Sequence, residues 1–307
     1  MKSVRGAPLR SVKAARSGLA RWWARGVATG LTAGLDKPAA FLQKFAPPMH
    51  AAQIAEVWSM LDREHLASVA RRGPEPVFAT VSGAHLYGFA SADSDVDLRG
   101  AYLLPAREML GLKKPRETFT SEDTTTIDLD WVAHDLRKFA RMMTQHNGHV
   151  LEQLFSPLVV VTTPAHRELL ELGHGCVTRG TVRHYQGFAR GRRQRLHAPE
   201  ATVKHLLYAY RVLLSGIHLM RTGEVISNLT SLNERFRMPE VDSLVQRKQA
   251  GAEHMSLGEA ELAACDKHLD RLEAELERAY ERSSLPEEAT TAAALDDFVV
   301  RQRLATL

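Results

Sequence analysis

GAHLYGFASADSDVDLRG, residues 83–100, holds three glycines, a polar turn and three acids spaced two residues apart. Ahead of it, Val77-Phe78-Ala79-Thr80-Val81 predicts a strand. After Gly88 the turn Ser91-Ala92-Asp93-Ser94 leads into Asp95-Val96-Asp97, which opens a second apolar run ending Ala101-Tyr102-Leu103-Leu104. Strand side chains alternate with period two, so Asp95 and Asp97 point the same way. Their Cα atoms then lie about 6–7 Å apart. Two carboxylates on one face repel each other and are costly to keep ionised without a cation nearby. The spacing suits one or two Mg²⁺ ions, which sit about 3.5–4 Å apart in two-metal sites. Glycines ahead of the pair let backbone N–H groups approach phosphate closely. A phosphate cradle beside a carboxylate pair is equipment for phosphoryl or nucleotidyl transfer.

Other readings of the acidic run fare worse. Asp93-x-Asp95-x-Asp97 begins like an EF-hand loop, but Leu98 and Leu104 stand where such a loop needs its Gly and its bidentate Glu. A phosphatase-type Asp-x-Asp leaves the glycine turn without a role. A solvated turn with local side-chain bonds suits Asp93 and Ser94. It does not suit Asp97, which lies inside an apolar strand.

The run resembles the nucleotidyltransferases of the DNA polymerase β superfamily, whose signature is a Gly-Ser turn, a short spacer and Asp-x-Asp on the next strand. Here the turn is Gly83-Ala84 and the pair is Asp95-x-Asp97. With Tyr87-Gly88, Ser94-Asp95 and Leu98-Arg99-Gly100 the string is similar to a bacterial and phage branch called predicted nucleotidyltransferases. That family carries Ser after the first Gly, with its hydroxyl on the triphosphate. This chain has Ala84, and Ser82 serves only if the turn is shifted.

The resemblance implies an α+β fold: a polymerase β-like mixed sheet with flanking helices, followed by a helical C-terminal domain. It implies transfer of a nucleoside monophosphate from an NTP to an acceptor hydroxyl, dependent on Mg²⁺ or Mn²⁺, with release of pyrophosphate. Asp95 and Asp97 are then metal ligands, and Ser82, Gly83, Ala84, Tyr87, Gly88 and Ser94 surround the nucleotide. The mechanism needs a third acid on a neighbouring strand. Asp128 and Asp130 share a face of Thr124–Val132, which predicts a strand. The branch places its acid just before a helix of the form x-Leu-Arg-Lys-Phe. That pattern selects Asp130, ahead of Asp135-Leu136-Arg137-Lys138-Phe139, with Asp128 as the alternative. The helix starting at Lys204 resembles the family's second-domain helix. Its Lys204, Tyr208 and Arg211 lie on one helical face, with Lys204 and Arg211 as the phosphate clamps.

Outward from this run, Ile54, Val57, Trp58, Leu61 and Leu66 predict a helix over 50–70, broken at Arg71-Arg72-Gly73-Pro74. Residues 105–123 read as a loop and 135–143 as a helix stopped by Asn147-Gly148. A helical turn follows over 149–155, then a last strand at 158–161. From Pro164 the pattern is helical, with long helices near 178–196, 200–222 and 258–283. Breaks fall at 223–232 and 283–286. Three parts result: a basic arm at 1–48 that reads as disordered, a nucleotidyltransferase catalytic domain at 49–163 and a helical domain at 164–307. The stretch beyond residue 235 carries no motif.

At 307 residues the chain can bury a sizeable core. No apolar run approaches the roughly 20 residues that span a bilayer. Cys176 and Cys265 form no disulfide framework or zinc motif, so a reducing cytoplasm is expected. The charge is uneven: residues 1–48 hold nine Lys or Arg and one acid, Asp36, a net of +8, while the whole chain is +4. The basic balance is therefore a property of the arm, which also has the look of a transit peptide, with Met49 as an alternative start. Arg190, Arg192, Arg193 and Arg195 form a second basic cluster, readable as a nucleic-acid contact or as an exposed helix end. The scattered histidines lack a paired ligand set. The acceptor stays open between small molecule, RNA and protein. Two rival functions remain: an inactive nucleotide-binding or antitoxin-like module, and a nucleic-acid-binding protein acting through the arm and the arginine cluster.

Overall fold

Five strands form one mixed sheet in the order β3-β4-β2-β1-β5. They are β1 (Pro76–Val81), β2 (Val96–Tyr102), β3 (Thr118–Asp123), β4 (Leu129–Asp135) and β5 (Val159–Val161). The computed structural model describes residues 49–124, 127–198, 201–251 and 257–307. The expected arm at 1–48 lies outside them. β1 runs antiparallel to β2 and β5, β3 antiparallel to β4, and β2 parallel to β4. With helices flanking the sheet and a helical C-terminal region, the architecture is α+β.

The central strands form for the expected reason. Val96, Leu98 and Gly100 alternate with Asp97 and Arg99, so β2 has one apolar face and one charged face. Below the apolar side, Phe78, Leu98, Phe139 and Leu151 are fully buried, and Phe78 meets Phe139 edge-on at 5.2 Å. Three stretches differ from expectation. The predicted 50–70 helix is two, α1 (Ala51–Met60) and α2 (Arg63–Ala70). Asp62 restarts it, its carboxylate accepting from the Glu64 and His65 amides at 2.9 and 3.0 Å. The predicted 105–123 loop contains a short helix and the edge strand β3, whose polar sequence Thr118-Phe119-Thr120-Ser121-Glu122-Asp123 shows no apolar alternation. β4 also begins five residues later than the β-branched run suggested, at Leu129.

Helices follow in this order: α3 (Gly83–Tyr87), α4 (Ala106–Leu110), α5 (Leu136–Thr144), α6 (Gly148–Leu154), α7 (Pro164–Gly173), α8 (Val182–Leu196), α9 (Val203–Thr222), α10 (Leu229–Phe236), α11 (Pro239–Ala250), α12 (Glu259–Glu281) and α13 (Ala292–Leu304). α9 is the axis of the helical part. Its residues from Leu206 to Met220 are almost all buried, and α8, α10, α11 and α12 pack around it. No helix among the described residues is long and apolar enough to cross a membrane.

Asp135 joins the chain's last helix to the sheet. Its fully buried carboxylate accepts the Leu104 amide at 3.0 Å and the Arg137 amide at 3.0 Å, capping α5. Arg303 of α13 closes on both its oxygens at 2.7 and 2.8 Å and also donates to the Leu104 carbonyl. Arg303→Ala leaves a buried charge uncompensated and should cost about 3–5 kcal/mol in urea unfolding.

Candidate active site

The site forms where β2 and β4 lie side by side. In their parallel register Asp97 stands directly opposite Asp130. Arg99, two residues along the same face of β2, bridges them. One guanidinium nitrogen donates to Asp97 Oδ1 at 2.5 Å and to Asp130 Oδ2 at 2.9 Å. The other donates to the Leu98 and Asp130 carbonyls, both at 2.8 Å. Burial lifts the Asp97 carboxyl above the usual range; Arg99 opposes that lift, and Asp95 and Asp130 add to it. Asp95 lies just ahead of β2 and is exposed. Asp128 lies just ahead of β4, exposed, with its carbonyl accepting the Val96 amide at 2.8 Å. The register thus puts Asp130 level with Asp97 and Asp128 level with Asp95.

The glycine turn abuts this pair. Gly83 has φ +61°, and a Cβ there would fall 1.9 Å from Asp97 Oδ2. No side chain fits, so the backbone lies directly against the carboxylate. The Ser82 amide donates to the Asp97 carbonyl at 2.8 Å, fixing the turn to β2. Ser82 is buried, with its hydroxyl beside the Tyr87 phenol. Ala84 is also buried. Gly88, at φ +84°, closes α3 in the left-handed conformation. His85, unremarked in the sequence, is buried against Asp95, with Nδ1 unpartnered among the described residues.

The turn before Asp95 is held from a distance. Ser91 donates to Asp93 Oδ1 at 2.7 Å, and its amide donates to the Ser94 hydroxyl at 3.0 Å. Into this knot comes Lys248 of α11, fully buried, its ammonium donating to the Ser91 hydroxyl. Lys248 belongs to the stretch expected to be uninformative. No sequence signal exposes it, because its partner lies 157 residues away.

On α9, the expected Lys204, Tyr208 and Arg211 separate by depth. Lys204 is half-buried near the helix start. Tyr208 packs edge-on against Tyr87 at 5.6 Å and Phe89 at 5.3 Å. Burial, with Asp97 next, pushes its phenol up to about 12. Arg211 is only 3% exposed; it stacks over Tyr87 at 4.1 Å and grips both oxygens of the buried Glu152 at 2.7 Å. Its charge is therefore already matched, and it braces Tyr87 from behind, away from the solvent-reachable position a phosphate clamp needs. Tyr185 donates to the same carboxylate at 3.1 Å. Burial alone would raise the Glu152 carboxyl, but Arg211 and His149 outweigh it and hold it at about 2.

The arginine cluster on α8 also divides. Arg193 is absorbed by α12, with Asp270 at 2.6 Å, Glu273 at 3.1 Å and Asp266 at 3.5 Å. Arg192 instead lies over the Tyr208 ring at 4.5 Å.

The sequence has relatives. The family described as the RNA repair pathway DNA polymerase beta family matches residues 54–301. The chain belongs to that family. It is thereby a member of the polymerase β-like nucleotidyltransferase superfamily. A protein of Methanocaldococcus jannaschii, named only as uncharacterised, is 31% identical over 163 residues, which cover 51% of this chain and 65% of that protein. An uncharacterised Bacillus subtilis protein is 27% identical over 192 residues, 59% of this chain and 72% of its own length.

Superfamily members generally use divalent metals. Among the described residues no three His, Cys, Asp or Glu side chains are grouped to hold a metal ion. The Arg99 guanidinium bridges Asp97 and Asp130. The donor chemistry nevertheless fits a hard cation. The side chains are carboxylates only, and Asp97 is a desolvated acid whose ionised form requires positive charge beside it.

Two outcomes follow from the supports of the site. The Glu152 carboxyl has a lower pKa folded than unfolded, so between about 4.5 and 2 the unfolded chain binds more protons and stability is lost as the pH drops. Acid titration of unfolding should show this loss, and Glu152→Gln should lack it. Arg211→Leu, leaving that carboxylate buried and unpaired, should cost about 3–5 kcal/mol. Lys248→Met should loosen the turn, raising amide hydrogen exchange at residues 92–95 by about tenfold or more while α9 stays protected.

Proposed function

We propose that the protein is a nucleotidyltransferase that moves a nucleoside monophosphate from an NTP to a hydroxyl at an RNA end. One observation carries the reading: Asp97 and Asp130 face each other across parallel strands, with the side-chain-free Gly83 backbone against Asp97. The family's description supports RNA as the acceptor class.

In this reading the α- to γ-phosphates lie along the Gly83 turn, where the first amides of α3 have no acceptor four residues back. Ala84 brings no hydroxyl, so main-chain donors carry that contact alone. Asp95, Asp97 and Asp130 would hold Mg²⁺ or Mn²⁺, which when bound offsets the phosphate charge and the charge developing on the leaving group. Arg99 keeps Asp97 and Asp130 at fixed separation and lessens the repulsion between them. Lys248, through Ser91, fixes the approach of Asp95. The acceptor oxygen forms a bond to the α-phosphorus as the bond to the bridging α,β-oxygen breaks, and pyrophosphate leaves with that oxygen. The acceptor's proton passes to Asp130, whose side chain is 45% exposed against 23% for Asp97. Most of the gain comes from in-line positioning and electrostatic complementarity.

The inactive-module alternative rests on Ala84 and predicts NTP binding without turnover. Pyrophosphate release from each NTP, with Mg²⁺ or Mn²⁺ and pooled RNA, separates the two. We expect release in the wild type and its loss in Asp97→Asn at unchanged unfolding midpoint. Asp130→Asn should fall by about 10²–10⁴-fold, the range of a lost general base. Undiminished release in Asp97→Asn would remove the assignment.

A further inference from the structure

We propose that the solvent face of α8 formed by His184, Gly187, Phe188, Gly191, Arg192 and Arg195 is the docking surface for a single-stranded RNA end, with Phe188 stacking a base and Arg192 and Arg195 pairing with phosphates. This inference rests on the nucleotidyl-transfer reading and names where its acceptor lies.

The six residues fall within one arc of about 140° at 100° per residue on the helix. Three features of that arc lack an account within the fold. Phe188 is 39% exposed and is the one exposed Phe, Tyr or Trp among the described residues. Its ring adjoins His184 at 4.7 Å and His149 of α6 at 6.4 Å, so three rings make one shelf. Gly187 and Gly191 sit inside the helix, where Gly costs about 1 kcal/mol relative to Ala, yet a Cβ at either would meet no atom within 4 Å. Packing does not explain their smallness; close approach of a ligand backbone does. Arg192 has the Tyr208 ring beneath it, and no carboxylate among the described residues pairs with it or with Arg195. By contrast Arg193, on the other side of the helix, is satisfied by three acids.

The arc also borders the carboxylates. His149, beside Phe188, bears on Asp97, and Tyr208, beneath Arg192, bears on Asp97 and Asp95. The arc spans 12 residues from His184 to Arg195, about 16 Å of helix, room for a few nucleotides. A stacking ring, unpaired guanidinium groups and a side-chain-free strip are the parts of a surface that holds a single strand without reading its sequence.

The test measures binding of a labelled single-stranded RNA oligomer to the full chain by fluorescence anisotropy at several KCl concentrations, alongside NTP affinity and pyrophosphate release. Phe188→Ala should weaken RNA binding by about 5–100-fold. Arg192→Ala and Arg195→Ala should each lower the salt slope by about 0.7, while Arg193→Ala should leave it at the wild-type value. Unfolding midpoints check that each variant is folded. Wild-type-like RNA affinity in Phe188→Ala, with unchanged slopes in the arginine variants, would overturn the proposal. So would loss of NTP affinity with RNA binding intact, which would assign the face to the donor. Turnover onto a non-RNA acceptor by a wild type that binds no RNA sinks this inference and spares nucleotidyl transfer. RNA binding through α8 with no release from any NTP does the reverse.

Discussion

A single guanidinium group sets the geometry on which the site depends. Asp97 and Asp130 are brought level by the parallel register of β2 and β4, and two acids so placed repel each other. Arg99 donates to both, and its other nitrogen is tied to two backbone carbonyls, so the fork is anchored at both ends. The arrangement joins two strands that are distant in sequence and keeps a half-buried acid ionisable. Gly83 then has to be glycine, because the Asp97 carboxylate occupies the space a side chain would need.

Behind this face the helical part supplies support and charge in separate layers. Glu152 and Arg211 form a buried pair whose members each need the other, with Tyr185 satisfying one more lone pair. The pair sits under Tyr87, and Tyr87 under Tyr208, so aromatic packing links the glycine turn to α9. Lys248 does similar work at the Ser91–Ser94 turn. The cations closest to the site are thus of two kinds: those held by polar partners, such as Arg99 and Arg211, which brace it, and Arg192, which lies over the Tyr208 ring.

The acid-bearing strand β2 and the glycine turn before it were legible in sequence because they are local. Period-two alternation, a glycine turn and a short spacer lie within 18 residues, and strand–turn–strand geometry follows from them. The same locality explains what was misread. The 50–70 helix kept one apolar period across Asp62, whose capping power was overlooked. β3 carries no period-two signal because an edge strand paired on one side need not alternate apolar and polar residues. The resemblance and the i, i+7 spacing point to Arg211 as a phosphate clamp, but neither says which face of a helix a neighbouring element covers, and here Glu152 holds it inside.

The sequence alone determined the glycine turn, the Asp95-x-Asp97 strand and the acid-bearing strand before α5, since each depends on contacts between near neighbours, and its resemblance to a known superfamily implied the class of fold. Only the tertiary structure decided that Asp130 stands opposite Asp97, that Arg99 joins them, that Glu152 claims Arg211 and that Lys248 reaches Ser91. Those pairings are made between residues 31 to 157 apart, or depend on which face is buried. No period in a single chain encodes such distances; they are fixed by strand register and by the requirement that every buried charge find its partner.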